Sequence, residues 1–298
     1  MLPWLDNSYQ QLAALALQAE LPHAILLTGS SGVGKVQLAE ALAALLLCRE
    51  PQQQNPCGEC KSCRLRLADH HADYWHQAEA EGRIGVDRIR QLTAFFQGSA
   101  QQGGVRIALL PQAERMSEAA ANALLKTLEE PPSTCFLLLT SDQPAMLLPT
   151  ITSRCQRWAI GVNDVAEATT WLQQQSQQPL PDFMQPMAAS APLQALHWLQ
   201  SEQAEEAKQL LQQLEQYVQN QLDLHTVVKA LEKSAVLSVV LSWFIRQRLP
   251  ELISLPQQAH WQLLQYFQRW CRDETQILGQ NKNLALTALL LELKRLSA

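Results

Sequence analysis

Residues 24–36 read AILLTGSSGVGKV. Ala24 to Thr28 is a continuous apolar run of strand length that ends at a glycine-rich loop. Beyond the loop, residues 37–48, QLAEALAALLLC, place Leu38, Ala41, Leu42 and Leu45 on one face of a helix. Strand, loop, helix is the setting in which G-x-x-x-x-G-K-[S/T] folds into a phosphate cradle. Gly29, Gly32 and Gly34 let backbone N–H groups turn toward phosphate oxygens, and Lys35 adds a point charge for the outer phosphates. The pattern holds for seven positions and then fails: Val36 stands where a hydroxyl would ligate Mg²⁺.

Two further apolar runs, RIALL (residues 106–110) and CFLLLT (residues 135–140), are bounded by Gly or Pro and alternate with helical segments. Runs of that kind predict a parallel sheet covered on both faces, an α/β domain. Between them Ser117 is placed to cap the helix EAAANALLKTLEE, which Pro131 and Pro132 stop. After about residue 160 strand signals give way to Gln, Leu and Ala at helical spacing, with Leu210, Leu211, Leu214 and Val218 as one stripe and residues 283–296 as a last helix. QPLPDFMQP (residues 178–186) reads as a loop. The expected division is an α/β domain over 1–160, a small helical domain over 161–205 and an all-α domain over 206–298.

The loop lacks the rest of a hydrolytic apparatus. A P-loop enzyme needs carboxylates at the end of a neighbouring strand, to hold the Mg²⁺ shell and to activate water. After RIALL the chain offers Pro111 and Gln112, neither of which is a useful base, and Glu114 lies farther along. The residues therefore predict a loop with no catalysis of its own. Retained nucleotide binding, to ATP or ADP, and a tight turn kept for folding both fit it.

Cys48, Cys57, Cys60 and Cys63 are spaced C-x8-C-x2-C-x2-C, with Pro56 and Gly58 supplying tight backbone. Four thiolates favour tetrahedral Zn²⁺, and with sulfur at every position the site is structural, with none left open for chemistry. His70 and His71 are expected at the surface or behind the ligands. The chain has 298 residues, 47% of them hydrophobic and 17% charged, enough for two or three domains with sizeable cores. A net charge of -5 excludes nucleic-acid capture by the surface as a whole, so a zinc-dependent DNA-binding module is disfavoured. The apolar stretch AVLSVVLSWFI (residues 235–245) is too short to span a bilayer, and the first ten residues lack the regions of a signal peptide. A cytoplasmic protein is expected.

HAILLTGSSGVGK (residues 23–35), the four-cysteine insertion, GVDRIRQL (residues 85–92), ANALLKTLEEPP (residues 121–132) and TITSRC (residues 150–155), in that order, resemble the DNA polymerase III clamp loader subunits of bacteria. The resemblance is strong over roughly the first 160 residues. It implies an AAA+ fold: a nucleotide-binding α/β domain, a small helical lid and a helical collar that assembles five subunits in a ring. Val36, Pro111 and Gln112 resemble a member that does not hydrolyse ATP. Such a member works with delta and the gamma/tau motor subunits to place the sliding clamp on primed DNA. It belongs to the DNA polymerase III holoenzyme, a nucleotidyltransferase, without turnover of its own. The resemblance also gives Arg154, within Ser153-Arg154-Cys155, the role of an arginine finger in a neighbour's ATP site. From the residues alone Arg154 reads as a surface residue at a helix end, Thr140 and Ser141 as structural, and Asp87 as an N-cap. The competing reading is an active P-loop ATPase that uses Glu114 or another carboxylate.

Overall fold

The computed structural model describes residues 1–77, 82–132, 134–251, 264–272 and 281–297. Its sheet holds β1 (Ala24–Thr28), β2 (Tyr74–His76), β3 (Arg106–Leu110), β4 (Cys135–Ser141) and β5 (Gln156–Ala159) in the order β2-β3-β4-β1-β5, all pairs parallel. The three apolar runs form the interior strands, because only a strand covered on both faces can be apolar at every position. The edge strands β2 (YWH) and β5 (QRWA) carry no such run, and the sequence gives no sign of them.

Alternate residues of the interior strands point to opposite faces. Ile25, Leu27, Ile107 and Leu109 pack with α1 (Asp6–Leu17), α2 (Lys35–Leu47) and Ala168 of α7 (Val165–Ser176). Ala24, Leu26, Ala108 and Leu110 pack with α4 (Val86–Gln97), α5 (Glu118–Glu129) and Ile151 of α6 (Pro149–Thr152). Ser117 caps α5 as expected: its side chain accepts the Ala120 N–H, a contact worth about 1 kcal/mol. Asp87 does not cap α4. The N-cap is Gly85, and Asp87 lies in the first turn, where its carboxylate pairs with Arg90 at 3.0 Å. The short helix α3 (Lys61–Leu67) follows the cysteine loop.

The chain separates into two compact units, Met1–Leu196 and His197–Ala298. In the first, the expected loop at 178–186 holds a 3-10 turn, Asp182–Met184, and the start of α8 (Gln185–Ser190). A ninth helix, α9 (Pro192–Gln200), follows. The second unit contains α10 (Gln203–Val218), α11 (Leu224–Glu232), α12 (Leu237–Glu251), a helix α13 at 264–272 and α14 (Lys282–Ser297). Helix α10 buries Ala207, Leu210, Leu214 and Tyr217, while Leu211 and Val218 flank this stripe half-buried. The shift by part of a turn brings the Tyr217 ring under Lys294 of α14, 4.5 Å from the ammonium. Asp223 caps α11 by accepting from the Thr226 N–H and hydroxyl, and those bonds hold its carboxyl below the usual range.

Candidate functional site

Sheet register builds the phosphate loop. Thr28, the last residue of β1, pairs with Ser141 of β4, and Gly29 N–H donates to the Ser141 carbonyl at 3.3 Å. The loop thus emerges at the carboxyl end of a parallel sheet between two strands that run apart in sequence, the usual place for a ligand crevice. Gly32 and Gly34 take left-handed φ of +77° and +97°, values that a side chain would strain. Lys35 then opens α2, but its ammonium does not face an open cradle. Nζ donates to the carbonyls of Gly29 and Ser30, both at 2.8 Å, and meets Asp142 Oδ1 at 2.5 Å, with the side chain only 4% exposed. A lysine has three donors, and three acceptors of this same chain surround them.

The loop is also flanked closely. Trp4 Nε1–H donates to the Val33 carbonyl at 2.8 Å, and Leu2 and Leu5 press against Gly34. On another side Leu193 N–H donates to the Gly32 carbonyl at 2.9 Å, with Gln194 against the same glycine. The cavity that remains is about 200 Å³, lined by Ser31, Lys35, Val36, Gln112, Asp142 and Gln194 among others. Small-molecule sites usually begin near 300 Å³. Val36 is half-buried against the core on the α2 side of the sheet. Pro111 is buried. Gln112, at a left-handed φ of 50°, donates its backbone N–H to Thr140 Oγ1 at 3.2 Å. Glu114 Oε1 accepts the backbone N–H of Asp142 at 3.0 Å. Glu114 thus fixes the turn that presents Asp142. Sequence reasoning missed Asp142, because only the Thr28–Ser141 register reveals that the residue after Ser141 lies beside the loop lysine.

The four cysteines converge, with sulfur atoms all within 4.8 Å of one another. A tetrahedral ion with bonds of about 2.3 Å would set its sulfurs roughly 3.8 Å apart. Here Cys48 and Cys57 are 3.6 Å apart and Cys57 and Cys63 3.9 Å. Backbone N–H groups of Cys57, Cys60 and Cys63 donate to the sulfurs of Cys48, Cys57 and Cys60 at 3.3, 3.3 and 3.4 Å. The set could hold a metal ion such as zinc. His70 is exposed, while His71 is buried and ties the cysteine module to the sheet. Its Nδ1 accepts the Asp73 N–H at 3.1 Å, so Nε2 carries the proton toward Ser62 Oγ at 2.7 Å, and that hydroxyl donates to the Leu47 carbonyl. Burial lowers the His71 pKa below the ordinary value.

Arg154 lies just after α6, beyond Ser153, at the surface but not loose. Its Nε and Nη2 both donate to Glu129 Oε1, at 2.9 and 2.6 Å, and Nη1 donates to the Thr150 carbonyl at 3.0 Å and Ser153 Oγ at 3.4 Å. Ser153 is exposed. Cys155 packs half-buried against the core on the α5 side of the sheet, where burial pushes its thiol up to about 11. Arg154 and Lys35 therefore belong to separate constellations, as do the four cysteines. Thr140 and Ser141 are fully buried in β4, consistent with a structural role.

Residues 4–163 match the family model described as DNA polymerase III, delta subunit. The chain is 44% identical over 172 residues to the DNA polymerase III subunit delta' of Yersinia pestis, covering 57% of this chain and 51% of that protein. It is 40% identical over 214 residues to the corresponding subunit of Haemophilus influenzae, covering 71% and 65%. The matched stretch thus spans about half to two thirds of the length of these relatives. Among solved structures, a DNA polymerase III gamma subunit-related protein from Thermotoga maritima superposes with a TM-score of 0.57 at 18% identity, covering 97% of this chain and all of that one. The fold is AAA+. Among the described residues, no helix is long and apolar enough to cross a membrane.

Proposed function

The chain belongs to the DNA polymerase III delta subunit family, and on that premise we propose that it serves as the delta' subunit of a bacterial clamp loader. In this reading it acts in the cytoplasm with delta and gamma/tau to place the sliding clamp on primed DNA, and it hydrolyses no ATP itself. Residues 1–160 are the AAA+ domain, 161–205 the lid and 206–298 the collar through which it assembles. Zn²⁺ on Cys48, Cys57, Cys60 and Cys63 fixes the insertion and does no chemistry.

The observation that supports the non-hydrolysing reading best is the enclosure of Lys35. Its three donors are taken by Gly29, Ser30 and Asp142, so a γ-phosphate would have to displace an anion that the fold itself supplies. With Val36, Pro111 and Gln112 in place of the hydroxyl and carboxylates, Mg²⁺ has no protein ligand of the usual kind beside the loop. Arg154 is the group that can act elsewhere. A planar guanidinium that stays charged at any relevant pH stabilises the charge developing on a transferred phosphoryl group, worth about 10³ to 10⁵ in rate. The test is ATP turnover by the isolated chain and by the complex reconstituted with motor subunits. The isolated chain is expected at background. The complex carrying Arg154→Ala is expected to assemble normally and to lose most of the turnover at the neighbouring site. Hydrolysis by the isolated chain that vanishes in Lys35→Ala would instead establish an active P-loop ATPase.

A further inference from the structure

We propose that Glu129 is the positioning residue of the Arg154 finger, an inference that rests on the trans role proposed above. The finger sits where a long side chain would ordinarily sweep through solvent, and an arginine carries enough rotamer freedom to blunt its effect if every encounter had to fix it anew. Here two anchors fix it. Glu129 Oε1 receives Nε and Nη2 at 2.9 and 2.6 Å, while the Thr150 carbonyl receives Nη1 at 3.0 Å. Four of the five N–H donors are directed within this chain once the longer contact to Ser153 Oγ is counted. One N–H of Nη2 is left over, and the plane of the guanidinium is set.

Both ends of this clamp are tied to the core. Glu129 is the last residue of α5, next to Leu128, which is buried, and Pro131 and Pro132 end the helix there. Arg154 follows α6, whose Ile151 is fully buried in the same apolar cluster as Leu128, and the Arg154 N–H donates to the Ile151 carbonyl at 3.1 Å. The two backbones therefore cannot drift apart without opening that cluster. Half-exposed ion pairs add little to stability, and the Glu129 side chain is 50% exposed and that of Arg154 35%. A carboxylate oxygen that takes two donors along one edge of the guanidinium is worth more as an orienting device, since it turns a mobile cation into one that arrives prepared.

The complex reconstituted with ATP-hydrolysing subunits is compared with Glu129→Gln, Arg154→Ala and the double variant. Glu129→Gln keeps the helix and the volume and removes the charge that grips the fork. It is expected to lower kcat about tenfold, less than Arg154→Ala, with KM for ATP, assembly and the unfolding midpoint of the free chain unchanged. In the Arg154→Ala background the same change is expected to have no further effect, and Glu129→Asp to recover part of the rate. Full activity or raised activity in Glu129→Gln, with Arg154→Ala impaired, overturns the positioning role and leaves the finger standing. Full activity in Arg154→Ala overturns the finger itself. A loss in Glu129→Gln that persists undiminished in the double variant assigns Glu129 a role apart from Arg154 and also overturns the proposal.

Discussion

Replacing Asp142 with Asn separates the loop's shape from its internal anion. Asn keeps an oxygen at nearly the same place but removes the charge opposite the Lys35 ammonium, which lies 2.5 Å away and is 4% exposed. Hydrogen bonds to charged groups contribute about 1.5 to 3 kcal/mol. The Asp142 side chain is 21% exposed and the two loop carbonyls remain as partners, so the lower half of that range applies. A loss of about 2 kcal/mol in a unit of 196 residues corresponds to a fall of about 4 to 8 °C in the unfolding midpoint. The ammonium left without its counterion then accepts an external one. If Asp142→Asn binds inorganic phosphate with a Kd of about 1 mM, 10 mM phosphate restores about 1.4 kcal/mol, while the wild-type chain gains nothing beyond the general salt effect. Thermal unfolding in phosphate and in chloride of equal ionic strength measures both. A wild-type chain stabilised by phosphate or ATP as strongly as the variant would refute the view that Asp142 occupies the loop.

Two further outcomes follow from the cysteine module. Chelation of the metal is expected to release zinc measurable by a colorimetric dye, to make Cys48, Cys57, Cys60 and Cys63 titratable with a thiol reagent, and to lower the unfolding midpoint, and Cys57→Ser to lower zinc content and leave Cys48, Cys60 and Cys63 titratable; four thiols freely titratable in the untreated protein would contradict the site. His71 is held neutral by burial with its pKa below the unfolded value, so between those two values the unfolded chain binds more protons and stability falls as pH drops below about 6.5. Unfolding midpoints from pH 7.5 to 5 are expected to decline less steeply in His71→Asn, and an equal decline in both proteins would remove His71 from the cause.

The legible parts of the fold were those in which one local feature decides the outcome. AILLT, RIALL and CFLLLT had to be interior strands because they are apolar on both faces, and Ser117 had to cap because a helix followed it directly. Strands β2 and β5 were not legible because edge strands of three and four residues are set by pairing with Ile107–Leu109 and Ile25–Thr28, not by their own composition. The cysteine spacing brought its four residues together as read, whereas Asp87 illustrates the limit: the backbone begins α4 at Val86, one residue before Asp87, leaving Asp87 inside the first turn. The pairings of Asp142 and Glu129 escaped detection for a shared reason. Each residue acts on a partner far away in the chain, Lys35 or Arg154, through a contact that exists only after the sheet has formed and α5 has packed against α6.

The loop motif itself is explained by this chain's own packing. A Cβ at Gly32 would lie 2.7 Å from the Gln194 Cβ and 2.8 Å from its backbone nitrogen; at Gly29 it would lie 2.2 Å from the Ile160 carbonyl oxygen; at Gly34 it would meet Leu2 and Leu5 at 2.7 and 2.9 Å. Backbone cannot move aside as a flexible side-chain tip can, so Gly29 and Gly32 are required before any phosphate is considered. Lys35 is likewise required, as the cation that satisfies two inward carbonyls and Asp142. Every residue that makes GSSGVGK resemble a nucleotide cradle therefore has a partner within the fold, and the residue that breaks the pattern, Val36, packs against the core. A motif whose shape is needed for folding is retained whether or not it carries chemistry, and from the motif alone the two cases look the same. The Lys35–Asp142 pair is what the Asp142→Asn comparison tests: phosphate that stabilises only the variant assigns the loop to the scaffold holding β1, β4 and α2 together, and phosphate or ATP that stabilises the wild-type chain as strongly assigns it to nucleotide.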